Sequence, residues 1–444
     1  MNTKGTDPAA WRPGITFLLP VALAFLWVST GGYQGLNGQD AHDYLHISWN
    51  WTAWWHGGPL PVMVEHPHGY PLAGAMLGTL IGDELPALRI LSAISLVFLA
   101  LLVRSVLKRG SPVGGRDLDS YVLLAVLLSP FLLRYALTVM SDLPAMALLM
   151  AAFLCLQRWD QERRTGWLLA GLVAMAMALS VRLAAAPFVA VLLSAVVFRI
   201  TKPPMRRWLF VGAAALASLI GIALILSATT WNALVQDSPL ADWSVRNFLA
   251  RELHGDDGVL RYRWPNILYV LGLFVHPGFL PIGPLLLPFL RRGDLHDRTV
   301  LTACALVITH LLFMAGMPFQ NDRVLLIGQP FVVILFAPAF ARALAWCKAR
   351  SMWKGILALS VLLQVALVHR AVRPFIHQAE VEREVASVVR EYATDRVFTH
   401  GMGAALVTYC PGTVVTELWY AELDAFPSGA LLVVHPGNLR DQWQ

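Results

Sequence analysis

Residues 38–58 read GQDAHDYLHISWNWTAWWHGG, a run with two aspartates, three histidines and four tryptophans between two apolar regions. On a helix that starts near Asp40, two adjacent arcs form. One holds Tyr44, Ile47, Trp51, Trp54 and Trp55, and the other holds Asp43, His46 and Asn50. Tryptophan prefers the level of the lipid headgroups, where its ring is buried and its N–H stays hydrated. The stretch is therefore predicted to be a helix lying on a membrane surface, with carboxylates near its N-terminal end.

The composition of the whole chain is typical of a membrane protein. Of its 444 residues, 57% are hydrophobic and 14% are charged, whereas soluble domains carry about 25% charged residues. Apolar runs recur along the chain, and we predict about eleven membrane spans. The first follows Lys4 and Arg12 without a clear cleavage site, so it is expected to be retained. The predicted spans cover residues 13–30, 86–106, 118–133, 142–157, 166–181, 183–198, 208–228, 265–289, 299–316, 324–345 and 355–372.

Lysine and arginine are concentrated in alternate loops between these spans. The positive-inside rule places such loops in the cytoplasm. The N-terminus is then cytoplasmic, and the loops at 31–85, 229–264 and 317–323 lie outside. The net charge of +6 comes from short loops of this kind, and no nucleic-acid-binding patch is present in the sequence. The basic loop residues are Arg104, Lys108, Arg109 and Arg116; Arg158, Arg163 and Arg164; Arg199, Lys202, Arg206 and Arg207; Arg291, Arg292 and Arg298; and Lys348, Arg350 and Lys354.

The same charge pattern indicates whether residues 66–82 cross the membrane. If this apolar stretch crossed the membrane, the later basic loops would face outward, so we expect a second surface helix in the first outer loop. From about residue 373 the chain becomes polar and contains short strand patterns. We therefore predict a transmembrane domain at 1–372 and a small extracytoplasmic α/β domain at 373–444. The four scattered cysteines indicate neither a disulfide framework nor a zinc ribbon.

Several stretches, taken in order, resemble the motifs of a known enzyme class. After GQDAHDYL and the aromatic run come EHPHGYPLAGAMLGTLIGD at 65–83, RYALTVMSDLPAMALL at 134–149, SVRLAAAPFVAVLL at 180–193 and NDRVLLIGQPFVVILFA at 321–337. Their order and topology resemble the GT-C glycosyltransferases, polytopic membrane enzymes of the protein-O-mannosyltransferase and aminoarabinose-transferase type. Val324 stands where the family has an aromatic residue. Pro67-His68 replaces the usual proline pair, so the acceptor side is expected to differ.

The resemblance implies an all-α polytopic membrane fold and transfer of a sugar from a polyprenyl-phosphate-linked donor. The family's catalytic aspartate corresponds to Asp40, which would be the general base. Arg323 matches a family motif and is expected to bind the donor phosphate. Arg134 and Arg182 are expected to do so from their positions at outer ends of spans, with headgroup snorkelling as the alternative for all three. Asp142 is expected near the site or as a helix N-cap, and capping is also the alternative for Asp40.

The remaining polar residues of the first loop are assigned to a substrate pocket. His42 and His46 lie one turn apart, a spacing that can bind a metal. No further motif supports such a site, so no metal or other cofactor is expected. The predicted pocket residues are Asp43, Glu65, His66, His68, Tyr70 and Asp142.

Two other functions remain open from the sequence. A transporter or flippase of a lipid-linked substrate would place polar groups and broken helices near the bilayer midplane, whereas here the ionisable groups cluster at the outer ends of spans. A polysaccharide polymerase would share the compartment and the substrate class. The expected partners are the lipid bilayer, the polyprenyl-phosphate sugar and a glycan, lipid or protein acceptor at the cell membrane, with no nucleic acid.

Overall fold

The computed structural model describes residues 13–61, 66–110, 115–200, 243–255, 258–392, 394–418 and 425–435. The span predicted at 208–228 lies outside these residues. So does Glu65, one of the predicted pocket residues. The described chain is mostly helical, as expected for a polytopic membrane protein.

The N-terminal half is a series of helices. They are α1 Pro13–Thr30, α2 Gly38–Trp55, α3 Gly69–Ile81, α4 Glu84–Gly110, α5 Gly115–Val122, α6 Pro130–Ala136, α7 Asp142–Glu162, α8 Thr165–Val181 and α9 Ala186–Ile200. Because α2 and α3 both belong to the first predicted outer loop, that loop is largely helical.

The C-terminal half combines helices with two small sheets. Its helices are α10 Asn266–Val270, α11 Gly272–Val275, α12 Gly283–Leu286, α13 Arg298–Gly316, α14 Asp322–Leu326, α15 Gln329–Ala349, α16 Trp353–Glu391 and α17 Gly403–Tyr409. Strands β1 Glu252–Gly255 and β2 Gly258–Arg261 pair antiparallel. Strand β3 Arg396–Thr399 lies between β4 Val414–Glu417 and β5 Leu431–Val433, parallel to both.

Four helices among the described residues are long and apolar enough to cross a membrane: α4, α13, α15 and α16. The bent pair α5–α6 would make a fifth, and five shorter apolar helices of 10–17 residues are also present. The multi-pass architecture is thus confirmed in its coarse form, whereas the count of about eleven spans remains a prediction.

The span predicted at 118–133 is broken by a bend of 67° before α6. Pro130 cannot continue the helix because it lacks an N–H, and Ser129 caps α6 by accepting from Leu132. The fully buried Gln329 donates to the carbonyls of Ala125, at 3.2 Å, and Phe279, at 2.6 Å. Backbone groups at the break are therefore paired inside the protein, as an apolar surrounding requires.

Helix α3 packs closely enough on its neighbours to fix the first loop. A Cβ on Gly69 would lie 2.6 Å from the carbonyl oxygen of Ser180, so only glycine allows this approach to α8. Tyr70, which is 1% exposed, donates from its hydroxyl to the carbonyl of Leu88 at 2.9 Å. This bond ties α3 to α4, and α2 lies against the same pair.

Helix α16 is continuous over 39 residues and passes through the domain boundary predicted at 373. It leads to the parallel sheet and to α17, which packs against α2. The division into two domains stays a prediction, but the C-terminal elements lie next to the first outer loop.

Candidate active site

Asp40 lies in the first turn of α2, beyond the cap position, which Asn37 occupies. Its Oδ2 accepts from Nη1 of Arg323 at 2.6 Å, across 283 residues of sequence. In the part of the chain that the structure describes, no donor lies on Oδ1, and the side chain is 36% exposed. The carboxylate is thus anchored through Oδ2, and its side chain is partly exposed. The alternative interpretation of Asp40 as a helix cap does not describe this geometry.

Arg323 also reaches a second carboxylate. Its Nη2 lies 3.4 Å from Oδ2 of Asp142, and Nη2 of Arg182 lies 3.2 Å from the other oxygen, Oδ1. Asp142 is fully buried as the first residue of α7, and the preceding Ser141 occupies the cap position instead. Two aspartates and two arginines therefore form a charge-balanced cluster, called here the arginine cluster: Asp40, Asp142, Arg182 and Arg323.

Each member of the arginine cluster is positioned by a different element. Arg323 is placed by α14, whose cap residue Asn321 accepts from the backbone N–H of Arg323 at 2.9 Å. Arg182 follows the end of α8 in extended conformation, with φ of −158°. Its Nη1 donates to the hydroxyl of Ser141 at 3.1 Å. The sequence motifs that suggested a common site thus meet in space.

Arg134 occupies a separate environment. Its guanidinium stacks on the rings of Phe131, Tyr135 and Phe375 at 4.3, 4.5 and 4.6 Å. Its Nη2 donates to the hydroxyl of Tyr135 at 2.6 Å. It forms no ion pair with an acid in the described segments, so its charge is not balanced there.

The three arginines share a feature that the structure also gives to Arg89 and Arg158. The Nε–H groups of Arg134, Arg182 and Arg323 are buried, and no described residue accepts from them. A buried donor without an acceptor is costly, and such groups in native proteins call for an explanation. An anion bound beside Arg182 and Arg323 would supply the acceptor for these two groups.

Beside Asp40, the first loop and α3 form an aromatic wall. The hydroxyl of Tyr44 lies 2.7 Å from that of Ser141. The rings of His66 and Tyr70 lie 4.9 and 5.2 Å from the Tyr44 ring. Nε2 of His66 lies 3.6 Å from Oδ2 of Asp43. Tyr70 is therefore packed behind Tyr44, whereas His66 and Asp43 lie beside Asp40.

A cavity of about 360 Å³ opens between α2 and the C-terminal elements. Among the predicted pocket residues, Asp43 and His66 line it together with Asp40. His68 instead makes an edge-to-face contact with the ring of Trp51 at 5.6 Å. The opposite wall comes from residues that the sequence analysis did not assign to the site: Gly403, Ala404, Val407, Val415 and Glu417.

His42 and His46 connect α2 to the C-terminal elements. Nδ1 of His42 and Nε2 of His46 each lie 2.8 Å from the hydroxyl of Thr408 on α17. Nε2 of the fully buried His42 lies 3.3 Å from Oε2 of Glu382 on α16. Three of the four ring nitrogens are thus already hydrogen-bonded. The contacts that the two histidines make with α17 therefore account for their spacing of one helical turn.

The electrostatic surroundings keep Asp40 ionised. Burial alone would raise the pKa of the Asp40 carboxyl, but the nearby charge of Arg323, with a smaller effect of His66, outweighs it. The pKa of Asp40 consequently lies below its usual value of 3.8. Asp40 is a carboxylate throughout the physiological pH range.

Tyr44 and Glu417 are the main site residues that the sequence analysis missed. Tyr44 was grouped with the tryptophans of the predicted membrane-facing arc, but it is 1% exposed and faces Ser141. Its position one turn after Asp40 was the available signal. Glu417 carried no local signal, because only the docking of the C-terminal elements brings it to the cavity.

Comparison with known proteins supports the fold. No family model matches the chain, and no curated protein sequence matches it significantly. Among solved structures, ArnT from Cupriavidus metallidurans bound to undecaprenyl phosphate matches with a TM-score of 0.61 and 15% identity, over 96% of this chain and 94% of that one. Its apo state matches with a TM-score of 0.54 and 17% identity over the same shares. The oligosaccharyltransferase of Archaeoglobus fulgidus matches with a TM-score of 0.46 and 13% identity, over 93% and 65%. The expected resemblance to the aminoarabinose-transferase type of GT-C protein is confirmed for the fold.

Proposed function

We propose that the protein is a membrane glycosyltransferase that transfers a sugar from a polyprenyl-phosphate-linked donor to an acceptor hydroxyl on the extracytoplasmic face. The observation that carries this proposal is the position of Asp40. One of its oxygens is held by Arg323, and its side chain lines a cavity. A carboxylate between a group of arginines and a substrate-sized cavity suits a reaction that joins an anionic donor to a second substrate.

The donor phosphate is assigned to the arginines. The unpaired Nε–H groups of Arg182 and Arg323 are charge-assisted donors, which are the strong partners of phosphate oxygens. Arg134, whose charge no described acid balances, would offset the negative charge that the departing phosphate gains. An undecaprenyl phosphate is bound in the ArnT structure with the same fold, which agrees with this class of donor.

In the proposed reaction the acceptor hydroxyl attacks the anomeric carbon from the cavity side. The new bond joins the acceptor oxygen to that carbon, and the bond between the carbon and the phosphate oxygen breaks. The hydroxyl proton passes to Oδ1 of Asp40, and polyprenyl phosphate leaves toward the arginines. Proton transfer to a positioned carboxylate contributes about 10²–10⁴-fold to such rates.

Donor binding would also make Asp40 a better base. In the resting protein Arg323 lowers the pKa of Asp40, which weakens its affinity for a proton. A donor phosphate that shares Arg323 would weaken the bond between Nη1 and Oδ2 and raise the pKa of Asp40. Asp40 thus has a higher proton affinity when the donor is bound, so it is a stronger base at the moment when transfer can occur.

The transporter alternative receives less support. The described chain contains one broken span, α5–α6, but Gln329 fills the break with hydrogen bonds to Ala125 and Phe279. The break is closed by packed protein, whereas a transport site at the midplane would keep polar groups available to a substrate. A polysaccharide polymerase would use the same donor site with a growing glycan as acceptor.

The proposed activity can be measured directly as release of undecaprenyl phosphate from a panel of undecaprenyl-phosphate-linked sugars by the protein in liposomes. We expect turnover with at least one donor, and we expect it to persist after extensive chelation because arginines can neutralise the leaving phosphate. Failure with every donor would contradict the function. Loss on chelation that one divalent ion restores would instead make His42 and His46 metal ligands.

The proposed topology places the first loop outside the cytoplasm. After the four native cysteines are replaced by serine, Leu60→Cys should react with an impermeant maleimide added to intact cells, because this side chain is 61% exposed. Gly293→Cys, in a loop predicted to be cytoplasmic, is the matched control and should react only after permeabilisation. The opposite pattern would place the site on the cytoplasmic face and exclude an extracytoplasmic acceptor.

A further inference from the structure

We propose that the cavity between α2 and the C-terminal elements binds an uncharged, hydroxyl-rich acceptor, a carbohydrate, and rejects acceptors that carry a phosphate at the reacting end. This inference rests on the proposed function, since Asp40 must act at this cavity. It goes further by assigning the acceptor class from the charges of the cavity wall. It also gives the C-terminal elements a role in acceptor selection.

The wall of the cavity is acidic. Three carboxylates line it, those of Asp40, Asp43 and Glu417, together with the imidazoles of His46 and His66. No lysine or arginine is among the described lining residues. A phosphate placed here would meet like charges without a cationic partner, which disfavours its binding.

These carboxylates are not equally neutralised by neighbours. Asp40 is paired with Arg323, and Asp43 lies 3.6 Å from His66. Glu417 is held by backbone groups instead, accepting from the N–H of Gly401 at 2.7 Å and from that of Gly403 at 2.8 Å. Two neutral amides fix its orientation without cancelling its charge. The cavity therefore keeps a negative potential beside Asp40.

Charge is thus divided between the two sides of Asp40. The side toward Arg182 and Arg323 carries two cations with unpaired buried N–H groups and one buried acid, Asp142. The cavity side carries acids. An anionic donor and an uncharged acceptor can bind this arrangement in only one orientation, with the anomeric carbon next to Asp40. A phosphate acceptor would need cations on both sides.

The other groups of the wall suit a sugar. Carboxylates accept charge-assisted hydrogen bonds from hydroxyls. The side chains of Val407 and Val415 supply an apolar surface for the C–H groups of a sugar ring. The backbone N–H of Ala404 lies 3.4 Å from Oε1 of Gln39, and Thr408 bridges His42 and His46. These bonds hold the C-terminal wall in register with α2.

The test compares ligands of matched shape and different charge. Full-length protein in nanodiscs that contain excess undecaprenyl phosphate, which occupies the arginines of the proposed donor site, is titrated, by saturation-transfer NMR, with methyl glycosides of glucose, mannose and galactose and with the corresponding sugar 1-phosphates. We expect at least one neutral glycoside to bind about tenfold or more tightly than its phosphate, with the difference shrinking at high salt. The negative charges of Asp43 and Glu417 should cause this difference in affinity, because they repel the phosphate.

A substitution that adds a cation to the wall reverses the preference. Val407 lines the cavity and is 46% exposed, so Val407→Lys should fold and should raise sugar-phosphate affinity about tenfold. Val414→Lys is the matched control. Val414 is 60% exposed, belongs to β4 and is not part of the cavity wall. It should leave both affinities unchanged.

Three results would overturn the proposal. These are equal or tighter binding of the sugar phosphates by the wild type, no response to Val407→Lys, and no binding of any neutral glycoside. Undecaprenyl phosphate is titrated, as a separate arm, into nanodiscs prepared without it. If it fails to bind while glycosides do, the donor part of the proposed function is wrong and the acceptor assignment stands. If undecaprenyl phosphate binds and no glycoside does, only the acceptor assignment is overturned.

Discussion

Asp40→Asn is expected to lower turnover about 10²–10⁴-fold while the protein stays folded and continues to bind its donor. Asparagine keeps the shape of the side chain and can still accept from Arg323 through its amide oxygen, but it cannot take a proton. Arg323 retains Asp142 as a charged partner at 3.4 Å, so the arginine cluster should remain assembled. The loss should therefore appear in kcat, measured as undecaprenyl phosphate released per enzyme.

Asp43→Asn is the matched control, because Asp43 lines the same cavity and carries the same charge. It lies 3.6 Å from His66 and has no contact with the arginines, so its substitution should change acceptor KM more than kcat. If Asp40 were only a structural partner of Arg323, Asp40→Asn would retain turnover near the wild-type rate. An inactive Asp43→Asn beside an active Asp40→Asn would move the base by three residues.

The site residues that lie within the sequence motifs could be predicted from the sequence. Asp40, Asp142, Arg182 and Arg323 are each locally conspicuous, because ionisable groups beside apolar spans are candidates for functional sites. Their convergence followed from the order of the motifs. The structure adds the contacts of Arg323 with Asp40 and Asp142, whereas the roles of these residues as base and phosphate ligands remain predictions.

Other parts depend on packing that no local pattern records. An amphipathic arc shows that Tyr44 faces something apolar, but it does not distinguish lipid from protein, and Tyr44 is buried against Ser141. The acceptor wall depends on where the long helix α16 places α17 and Glu417. The break before α6 had a signal in Pro130, but the local pattern does not show that Gln329, far along the chain, donates to the Ala125 carbonyl near the 67° bend.

Arg323→Ala is expected to lower kcat/KM for the donor by about 10–150-fold, the factor equivalent to about 1.5–3 kcal/mol for hydrogen bonds to a charged group. Arg323→Lys should lose less, because it keeps the charge and loses only the planar arrangement of donors.

The substitution Arg323→Ala should also change the pH dependence of activity. The pKa of Asp40 is lowered in the wild type by the charge of Arg323, so its carboxylate form, and any activity that needs it, persists until the pH falls below 3.8. In Arg323→Ala that influence is absent, the pKa of Asp40 rises because burial then dominates, and the acid limb of kcat/KM should move to higher pH.

Arg158→Ala provides the control for the loss of an arginine as such. Arg158 also has a buried Nε–H without a described acceptor and stacks on the ring of Trp167 at 4.3 Å, but it lies near the C-terminal end of α7, which is predicted to be the cytoplasmic end. Its removal should leave donor kcat/KM and the acid limb unchanged, even if thermal stability falls. Wild-type kinetics in both Arg323→Ala and Arg323→Lys would reduce Arg323 to an anchor at the headgroup level. A lower activity of Arg323→Ala without a shift of the acid limb would mean that Arg323 binds the phosphate but does not control the pKa of Asp40. Phosphate binding depends on the hydrogen-bond donors of Arg323, whereas control of the pKa depends on its charge next to Oδ2.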